Sequence, residues 1–321
     1  MDLRSEPDNR VAAALRLAYL PSMAEALILL DGEMLESARA GRHNFVGRLH
    51  AACRAGGMSV RYEPDGALAR ARAVLPNVYA ATHMTRPAGP HGVVLRRAIR
   101  YPFWAIERSH LRWEWDVAGA AFARVPGPEP ERFAGYWRER LLGGPAPAGE
   151  AVLIPLQGRL DRQRSFQAMS PVEMVRRVLE LTDRPVICTL HPSEDHAEEE
   201  MRPLLALALT HSRLRIESGG SEARLRECAW VATMNSSVAF LGFLLGRPAA
   251  LFARSEHHHV AARVHDLGAT RAIWAAEDML EDPPDFDGYV HWFWQRMCVN
   301  AGRPDAEARI AERLRAAGWP V

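Results

Sequence analysis

Short apolar runs and longer amphipathic stretches alternate along the C-terminal half of the chain. A continuous apolar run of four to eight residues is typical of a buried strand, and an apolar repeat near 3.6 residues is typical of a helix. Strands are predicted at 151–156, 185–190, 213–217, 230–234 and 249–252, and helices at 171–181, 198–209, 221–228 and 238–245. This alternation predicts a parallel sheet covered by helices on both faces, a Rossmann-like domain.

The N-terminal half gives a less regular pattern. Strands are predicted at 26–30, 59–62 and 77–82, and a helix at 42–55 that stops at Gly56-Gly57. We therefore expect an α/β fold with two Rossmann-like domains, the N-terminal one smaller. The proline- and glycine-rich segment 125–150 predicts the boundary, so the domains should be 1–150 and 151–321. The mostly helical tail, 286–317, either packs on the first domain or forms a dimer surface.

Composition and charge limit which partners and which cellular location the sequence predicts. The 321 residues are 48% hydrophobic and carry a net charge of +1, which gives no reason to expect nucleic acid as a partner. No apolar run is long enough to span a membrane, which leaves room only for peripheral membrane contact. The first ten residues lack the apolar core of a signal peptide, so a cytoplasmic location is expected. The four cysteines have no zinc-site spacing and should be reduced thiols.

All 40 basic residues are arginines, because the sequence contains no lysine. Phosphate contacts must therefore come from arginine, histidine, hydroxyl or backbone N–H groups. In open parallel sheets, ligands bind beyond the carboxyl ends of the strands. Three distinctive segments follow predicted strands: 157–165, His191-Pro192 and Asn235-Ser236-Ser237.

Each of these segments has a functional and a structural interpretation. An imidazole at His191 can donate a hydrogen bond to a phosphate, or can simply cap the strand end. Asn235 or Ser236 should be the N-cap of a helix, where hydroxyls and free N–H groups also suit a phosphate. Their shared position at one sheet edge favours a phosphate site over two unrelated caps.

The segments PLQGRLDRQRSF, PVICTLHP and NSSVAFLGFLLGRPAALF together resemble the donor domain of bacterial capsular-polysaccharide glycosyltransferases, and most closely the β-Kdo transferases that use CMP-Kdo. The His-Pro and Ser-Ser pairs are also similar to those of bacterial sialyltransferases. The resemblance covers about residues 151–254. It implies a GT-B fold, a nucleotide-sugar donor, a saccharide or glycolipid acceptor, and no cofactor or metal ion.

The resemblance also implies roles for individual residues. His191, Ser236 and Ser237 would bind the donor phosphate, and Gln157 would belong to the same site. Asp161 would act at the anomeric carbon, where a carboxylate can stabilise an oxocarbenium-like centre.

Asp161 has an equal alternative, a solvated loop acid paired with Arg159, Arg162 or Arg164. The chain departs from the family pattern in two places. Thr189 and Leu190 precede His191 where the family commonly has lysine, and Leu241 stands where members often carry a glutamate that holds the ribose. These departures leave a non-catalytic GT-B partner protein as the alternative function, with a sugar-nucleotide epimerase disfavoured.

The remaining motifs are weaker. Arg254 follows the fifth strand and is the best single cation for a phosphate contact. We interpret the histidines of RSEHHH (254–259) as a surface run and not a zinc site, because adjacent residues face different ways. Asp31-Gly32 resembles the acidic-Gly motif of sialyltransferases, although a plain turn is favoured. The segment 96–104, with its arginines and aromatic residues, is interpreted as core with a solvated arginine face, and an acceptor surface is the alternative.

Overall fold

The computed structural model describes residues 23–321, so the expectation for the first ten residues lies outside the described part. The strands are, in chain order, β1 (Glu25–Leu30), β2 (Ser59–Pro64), β3 (Val78–His83), β4 (Val93–Arg97), β5 (Phe103–Glu107), β6 (Ala151–Pro155), β7 (Val186–Leu190), β8 (Leu214–Ser218), β9 (Cys228–Thr233), β10 (Ala249–Leu251), β11 (Ala262–Arg263) and β12 (Val299–Asn300).

The helices are α1 (Gly32–Arg39), α2 (Asn44–Ala55), α3 (Ala67–Arg72), α4 (Asp116–Gly119), α5 (Glu129–Leu142), α6 (Pro171–Leu181), α7 (Glu198–Thr210), α8 (Ser221–Arg224), α9 (Ser237–Phe243), α10 (Val264–Leu267), α11 (Ala269–Asp278), α12 (Phe286–His291) and α13 (Ala306–Ala316). A 3₁₀ turn lies at Arg112–Glu114, and a π-helical segment, Trp292–Met297, follows α12. Within residues 23–321, no helix is both long and apolar enough to cross a membrane.

The chain forms two compact units at boundaries that differ from the one expected at residue 150. The N-terminal unit comprises the described residues up to Asp116 together with Met297–Val321, and the C-terminal unit is Val117–Arg296. Helix α5 belongs to the C-terminal unit because it packs on α12, where Arg138 forms a 2.7 Å ion pair with Asp287.

The N-terminal unit has a six-stranded sheet in the order β12-β5-β4-β3-β1-β2. Strands β1 to β4 are parallel, β5 pairs antiparallel with β4, and β12 pairs antiparallel with β5. Strand β12 comes from the tail, and α13 packs on α2 with a 2.9 Å ion pair between Arg48 and Glu307. The last 25 residues of the tail therefore complete the first sheet and its helical cover.

The C-terminal unit has an entirely parallel sheet in the order β11-β10-β9-β6-β7-β8. Numbered from the first strand of the unit, this is the order of a doubly wound dinucleotide-binding fold, whose strand order reverses between β6 and β9. Helix α6 begins where the sequence predicts, with Ser170 as N-cap and Pro171 in its first turn. The prediction of Rossmann-like α/β domains is confirmed, with antiparallel strands as an addition in the first.

Candidate functional site

The loops after β6, β7, β9 and β10 lie at one edge of the C-terminal sheet. The Leu156 N–H donates to the Thr189 carbonyl at 2.8 Å, and the Phe252 N–H donates to the Thr233 carbonyl at 2.8 Å. A Cβ on Gly158 would collide with the Glu194 carboxylate, so the first two loops touch there. The edge lies beside the strand-order reversal, which is where ligands bind in folds of this kind.

His191 is exposed at this edge. Its Nδ1 accepts a 3.2 Å hydrogen bond from the Ser193 N–H, inside the turn that follows β7. A neutral imidazole that accepts at Nδ1 carries its proton on Nε2. Nδ1 therefore stabilises the turn, which is the structural role. Nε2 remains as a hydrogen-bond donor for a ligand.

Asn235, Ser236 and Ser237 begin α9 and have different roles. The Asn235 Nδ2 donates to the Arg254 carbonyl at 3.2 Å, so this amide connects two of the loops. Ser236 is the N-cap, and its hydroxyl accepts from the Val238 N–H at 3.3 Å. Ser237 is half-buried, and its hydroxyl makes no hydrogen bond within residues 23–321. Of the pair, Ser237 is the one whose hydroxyl is uncommitted.

Gln157 and Asp161 lie in the loop after β6. Gln157 is half-buried directly beyond the strand, at the edge that the other loops share. Asp161 is exposed in a turn, and in the described part of the chain its carboxylate pairs with no arginine. The predicted ion pairs with Arg159, Arg162 or Arg164 are therefore absent from the described residues, and the catalytic role of Asp161 stays a prediction.

The far end of the same loop is attached to β10. The Ala168 N–H donates to the Phe252 carbonyl at 2.8 Å and the Arg254 N–H donates to the Phe166 carbonyl at 2.9 Å. The Arg254 guanidinium is exposed and forms no ion pair within residues 23–321. It is therefore free to contact an anion that binds at this edge of the sheet.

Arg164 is a functional candidate that the sequence did not single out. Its Nε and Nη2 are buried and have no hydrogen-bond partner in the described structure, and its guanidinium lies 4.9 Å from the Phe166 ring centre. Burial lowers the pKa of Arg164, the charge of Arg159 lowers it further, and Glu194 acts in the opposite direction. Beside it, Gln167 is 2% exposed, and its Nε2 also has no partner among these residues.

Buried donors without partners cost free energy, and on a cation that cost is larger. An anion at this position would satisfy them. The sequence carries no local signal for this, because Arg164 is one of several arginines in its loop and its burial depends on the distant contact with β10.

The surface interpretation of RSEHHH is wrong for most of the motif. Ser255, Glu256 and His257 are each at least 98% buried, and the Ser255 hydroxyl lies 3.0 Å from the His257 Nδ1. His258 and His259 are half-buried and their rings stack at 4.3 Å. Among residues 23–321, no group of three or more metal-ligating side chains could hold an ion.

A cavity of about 540 Å³ lies beside the two stacked histidines, and Phe122, Arg263 and Asp266 also contribute to its wall. This volume is within the usual range for a small-molecule site. The His258 Nδ1 lies 2.7 Å from the Ser255 carbonyl and donates to it, so Nε2 is left as an acceptor in the neutral ring. His265, in α10, contacts the Phe166 carbonyl at 3.2 Å, which places the wall of the cavity next to the loop of Arg164.

His259 connects its own loop to the segment that contains Ala120 and to helix α12. Its Nε2 donates to the Ala120 carbonyl at 2.8 Å, and its Nδ1 lies 3.2 Å from the Tyr289 hydroxyl. Burial lowers the pKa of His259 to about 4 from an ordinary 6.5, with smaller lowering by the charges of His258, Arg263 and His257 and an opposing effect of the Ala120 carbonyl. The ring is thus neutral at physiological pH.

We expect His259 to make the protein less stable in acid. The unfolded chain binds this proton below about pH 6.5 and the folded chain only near pH 4, so stability is fully present above pH 6.5 and falls as the pH decreases toward 4. After discounting for partial exposure, the loss between pH 7 and pH 5 is about 1 kcal/mol. Urea unfolding at pH 7 and pH 5 should show it, and His259→Gln should reduce the difference. An equal pH dependence in the variant would contradict this assignment.

The two departures from the family pattern are both buried. Leu241 is fully buried in α9, so this position faces the core of the unit. The Thr189 hydroxyl hydrogen-bonds the Ser221 hydroxyl at 2.7 Å. Any polar contact to a ribose must therefore come from other residues at this edge.

Comparison with solved structures supports the fold. KpsC of Thermosulfurimonas dismutans, described as a beta Kdo 2,7 transferase, superposes with a TM-score of 0.51 at 12% identity, covering 91% of this chain and 99% of that chain. The chain has the GT-B fold, as predicted, and the likeness to β-Kdo transferases is confirmed at the level of the fold. It also extends beyond the C-terminal half, to which the sequence resemblance was confined.

Two further neighbours are more distant. A KpsC beta Kdo 2,4 transferase of the same organism has a TM-score of 0.40 at 14% identity, covering 73% of this chain and 81% of that chain. A glycosyltransferase from Rickettsia africae ESF-5 has a TM-score of 0.37 at 10% identity, covering 96% and 89%. Both superpose less well than the beta Kdo 2,7 transferase. No family model and no curated protein matches the chain.

Proposed function

We propose that the protein is a glycosyltransferase that binds the phosphate of a nucleotide-sugar at the carboxyl edge of its C-terminal sheet. The observation that carries the proposal is Arg164, whose buried Nε and Nη2 have no partner within residues 23–321. It lies at the edge where the fold binds ligands, among loops that also present His191 Nε2, the Ser237 hydroxyl and the Arg254 guanidinium. These donors have the chemistry of an anion site.

Glycosyl transfer breaks the bond between the anomeric carbon and the donor phosphate, so negative charge develops on the leaving nucleotide. Prearranged donors aimed at that charge stabilise the transition state. Arg164, Arg254 and His191 would supply this stabilisation without a metal ion. Asp161 would then act on the oxocarbenium-like centre, and its exposed turn leaves its carboxylate accessible to a sugar.

We place the nucleoside in the cavity beside His258. Its wall offers the Phe122 ring, an imidazole acceptor and the Arg263–Asp266 ion pair, which together suit a base and a ribose. These groups would take over the contacts that Leu241 cannot make. A CMP-sugar is the first candidate donor, and a surface or capsular polysaccharide the first candidate product.

A non-catalytic partner of polysaccharide assembly is the second candidate, favoured by the burial of Leu241 at a position where the resembling family has a ribose ligand. Such a protein would keep the fold and lose nucleotide affinity. Nucleotide binding therefore separates the two functions.

The serine pair at the start of α9 gives a matched test. Ser237→Ala should weaken nucleotide binding about fivefold by removing one hydrogen bond to the phosphate, with little change in stability. Ser236→Ala should instead cost about 1 kcal/mol of stability through loss of the N-cap. Thermal shifts with CMP, UMP, UDP, GDP and ADP measure both effects, since ligand at one hundred times its Kd adds about 2.7 kcal/mol. No shift of the wild type with any nucleotide would favour the non-catalytic partner.

A further inference from the structure

A second group of polar side chains lies at the carboxyl edge of the N-terminal sheet. His83 is the last residue of β3, Arg97 the last of β4, and Asp31 follows β1 directly. His43 is the N-cap of α2, whose N-terminus lies at the same edge because the helix runs back toward the start of β2. These residues come from four separate elements and are assembled only by the fold.

The two imidazoles flank one indole. The ring centres of His43 and His83 lie 5.5 Å and 6.3 Å from that of Trp104, and Phe45 stacks on Trp104 at 4.3 Å. Trp104 is 3% exposed, and its Nε1–H has no hydrogen-bond partner in the described part of the chain. The buried indole is thus a surface against which both imidazole rings pack.

The charged side chains around the two histidines are mostly cationic. Arg96 and Arg97 adjoin the histidines, whereas Asp31 is the acid that acts on His83. Burial lowers the pKa of His83, and Arg96, His43 and Arg97 lower it further, with Asp31 opposing them. Burial also lowers the pKa of His43, and Arg97 adds to this while a hydrogen bond with its own backbone opposes it. Burial and the neighbouring positive charges thus disfavour the protonated form of both imidazoles, and an anion bound beside them would counteract this effect.

Polar atoms of these residues are left without a partner in the described part of the chain. The His43 Nδ1 accepts from the Val46 N–H at 3.3 Å, so the neutral ring carries its proton on Nε2. His83 makes no hydrogen bond within residues 23–321, and the Arg97 guanidinium is exposed without an ion pair there. Neighbouring imidazole and guanidinium donors are suited to a carboxylate or phosphate group.

An exposed aromatic ring stands next to these donors. Tyr101 is 51% exposed, and its hydroxyl accepts a 2.9 Å hydrogen bond from the Asn44 Nδ2, adjacent to His43 in sequence. Asn44 also donates to the Ala301 carbonyl at 3.1 Å, so the ring is held in place. A phenol with one apolar face and one polar end is well suited to stack against a sugar ring.

We propose that His43, His83, Arg97 and Tyr101 form a binding site for an anionic saccharide, one that carries a carboxylate or a phosphate. In the proposed glycosyltransferase, on which this assignment of role rests, the saccharide is the acceptor. The site lies wholly within the N-terminal unit, and its test needs no nucleotide. Failure of one proposal is therefore distinguishable from failure of the other.

The test follows the imidazole NMR signals of the full chain through pH titrations with glucuronate, glucose 6-phosphate, inorganic phosphate or glucose at matched ionic strength. A bound anion should raise the pKa of His83 and of His43 by about 0.5 or more. His91, an exposed imidazole just before β4 at the opposite edge of the same sheet, reports the non-specific effect of salt. A response to glucuronate identifies a carboxylate ligand, and a response to glucose 6-phosphate alone identifies a phosphate ligand.

Matched variants sharpen the result. Arg97→Gln should reduce the response of His83 severalfold, whereas Arg108→Gln, at the opposite edge of the same sheet, should leave it unchanged. The proposal is overturned if neither anionic sugar shifts the pKa of His43 or His83 more than that of His91. It is also overturned if inorganic phosphate alone reproduces the full response, since the site would then bind anions adventitiously and not saccharides.

Discussion

Arg164→Met should weaken nucleotide binding about 30-fold, because the charge-assisted hydrogen bonds that it removes are together worth about 2 kcal/mol. The same change should raise the stability of the ligand-free protein by about 1 kcal/mol, since it deletes buried donors that have no partner within residues 23–321. Methionine keeps the unbranched stem and removes only the guanidinium, together with its contact with the Phe166 ring. Isothermal titration and urea unfolding measure the two effects.

The opposite signs of these effects make the result diagnostic. A residue that merely supports the fold would lose binding and stability together. Arg162→Met, on the exposed side of the same loop, is the control and should alter neither quantity by much. Unchanged affinity in Arg164→Met would show that the phosphate is bound elsewhere.

Glu107→Gln should stabilise the protein by about 3 kcal/mol at pH 8, the equivalent of a pKa displaced from 4.5 to about 7. Burial raises the pKa of Glu107, the Asp116 charge adds to this, and the Asp116 N–H and Arg313 oppose it. The Glu107 Oε2 accepts from the Asp116 N–H at 3.0 Å, a bond that a glutamine oxygen can also accept.

The pH dependence has a definite sign. The folded protein holds this proton up to about pH 7 and the unfolded chain only to about 4.5, so the stability from Glu107 is greatest below pH 4.5 and is lost as the pH rises to 7. The advantage of Glu107→Gln should therefore grow from pH 5 to pH 8 in urea unfolding experiments. Glu36→Gln, on an exposed position of α1, should show no such trend. A constant difference across this range would refute the assignment.

The sequence predicts the C-terminal sheet well because its strands are buried on both faces and therefore read as continuous apolar runs. Helix α6 is predicted to the residue, since Pro171 suits the first turn and an amphipathic repeat runs to Leu181. Strands β4 and β12 are missed for physical reasons. Strand β4 ends in two arginines, and β12 is two residues long and exists only through its pairing with β5.

The sequence likewise predicts some features of the candidate site and not others. The loops that contain His191 and Ser236 follow from strand order, because parallel strands bring their carboxyl ends together. The burial of His257 and the unpartnered donors of Arg164 do not follow, since each depends on contacts far away in sequence. Both residues are polar, so the sequence alone predicts that they are exposed. Packing against distant segments buries the His257 ring and two nitrogens of Arg164.

Hydrogen exchange with and without CMP tests the central claim most directly, because it locates bound nucleotide on the chain without assuming any residue. We predict slower exchange of peptides covering residues 156–168, 190–195, 234–240 and 252–267, which contain the four loops and the cavity wall, and loss of this protection in Arg164→Met. Protection confined to residues 23–116, or unchanged exchange at saturating CMP, UMP and UDP, would contradict a nucleotide site at the carboxyl edge of the C-terminal sheet.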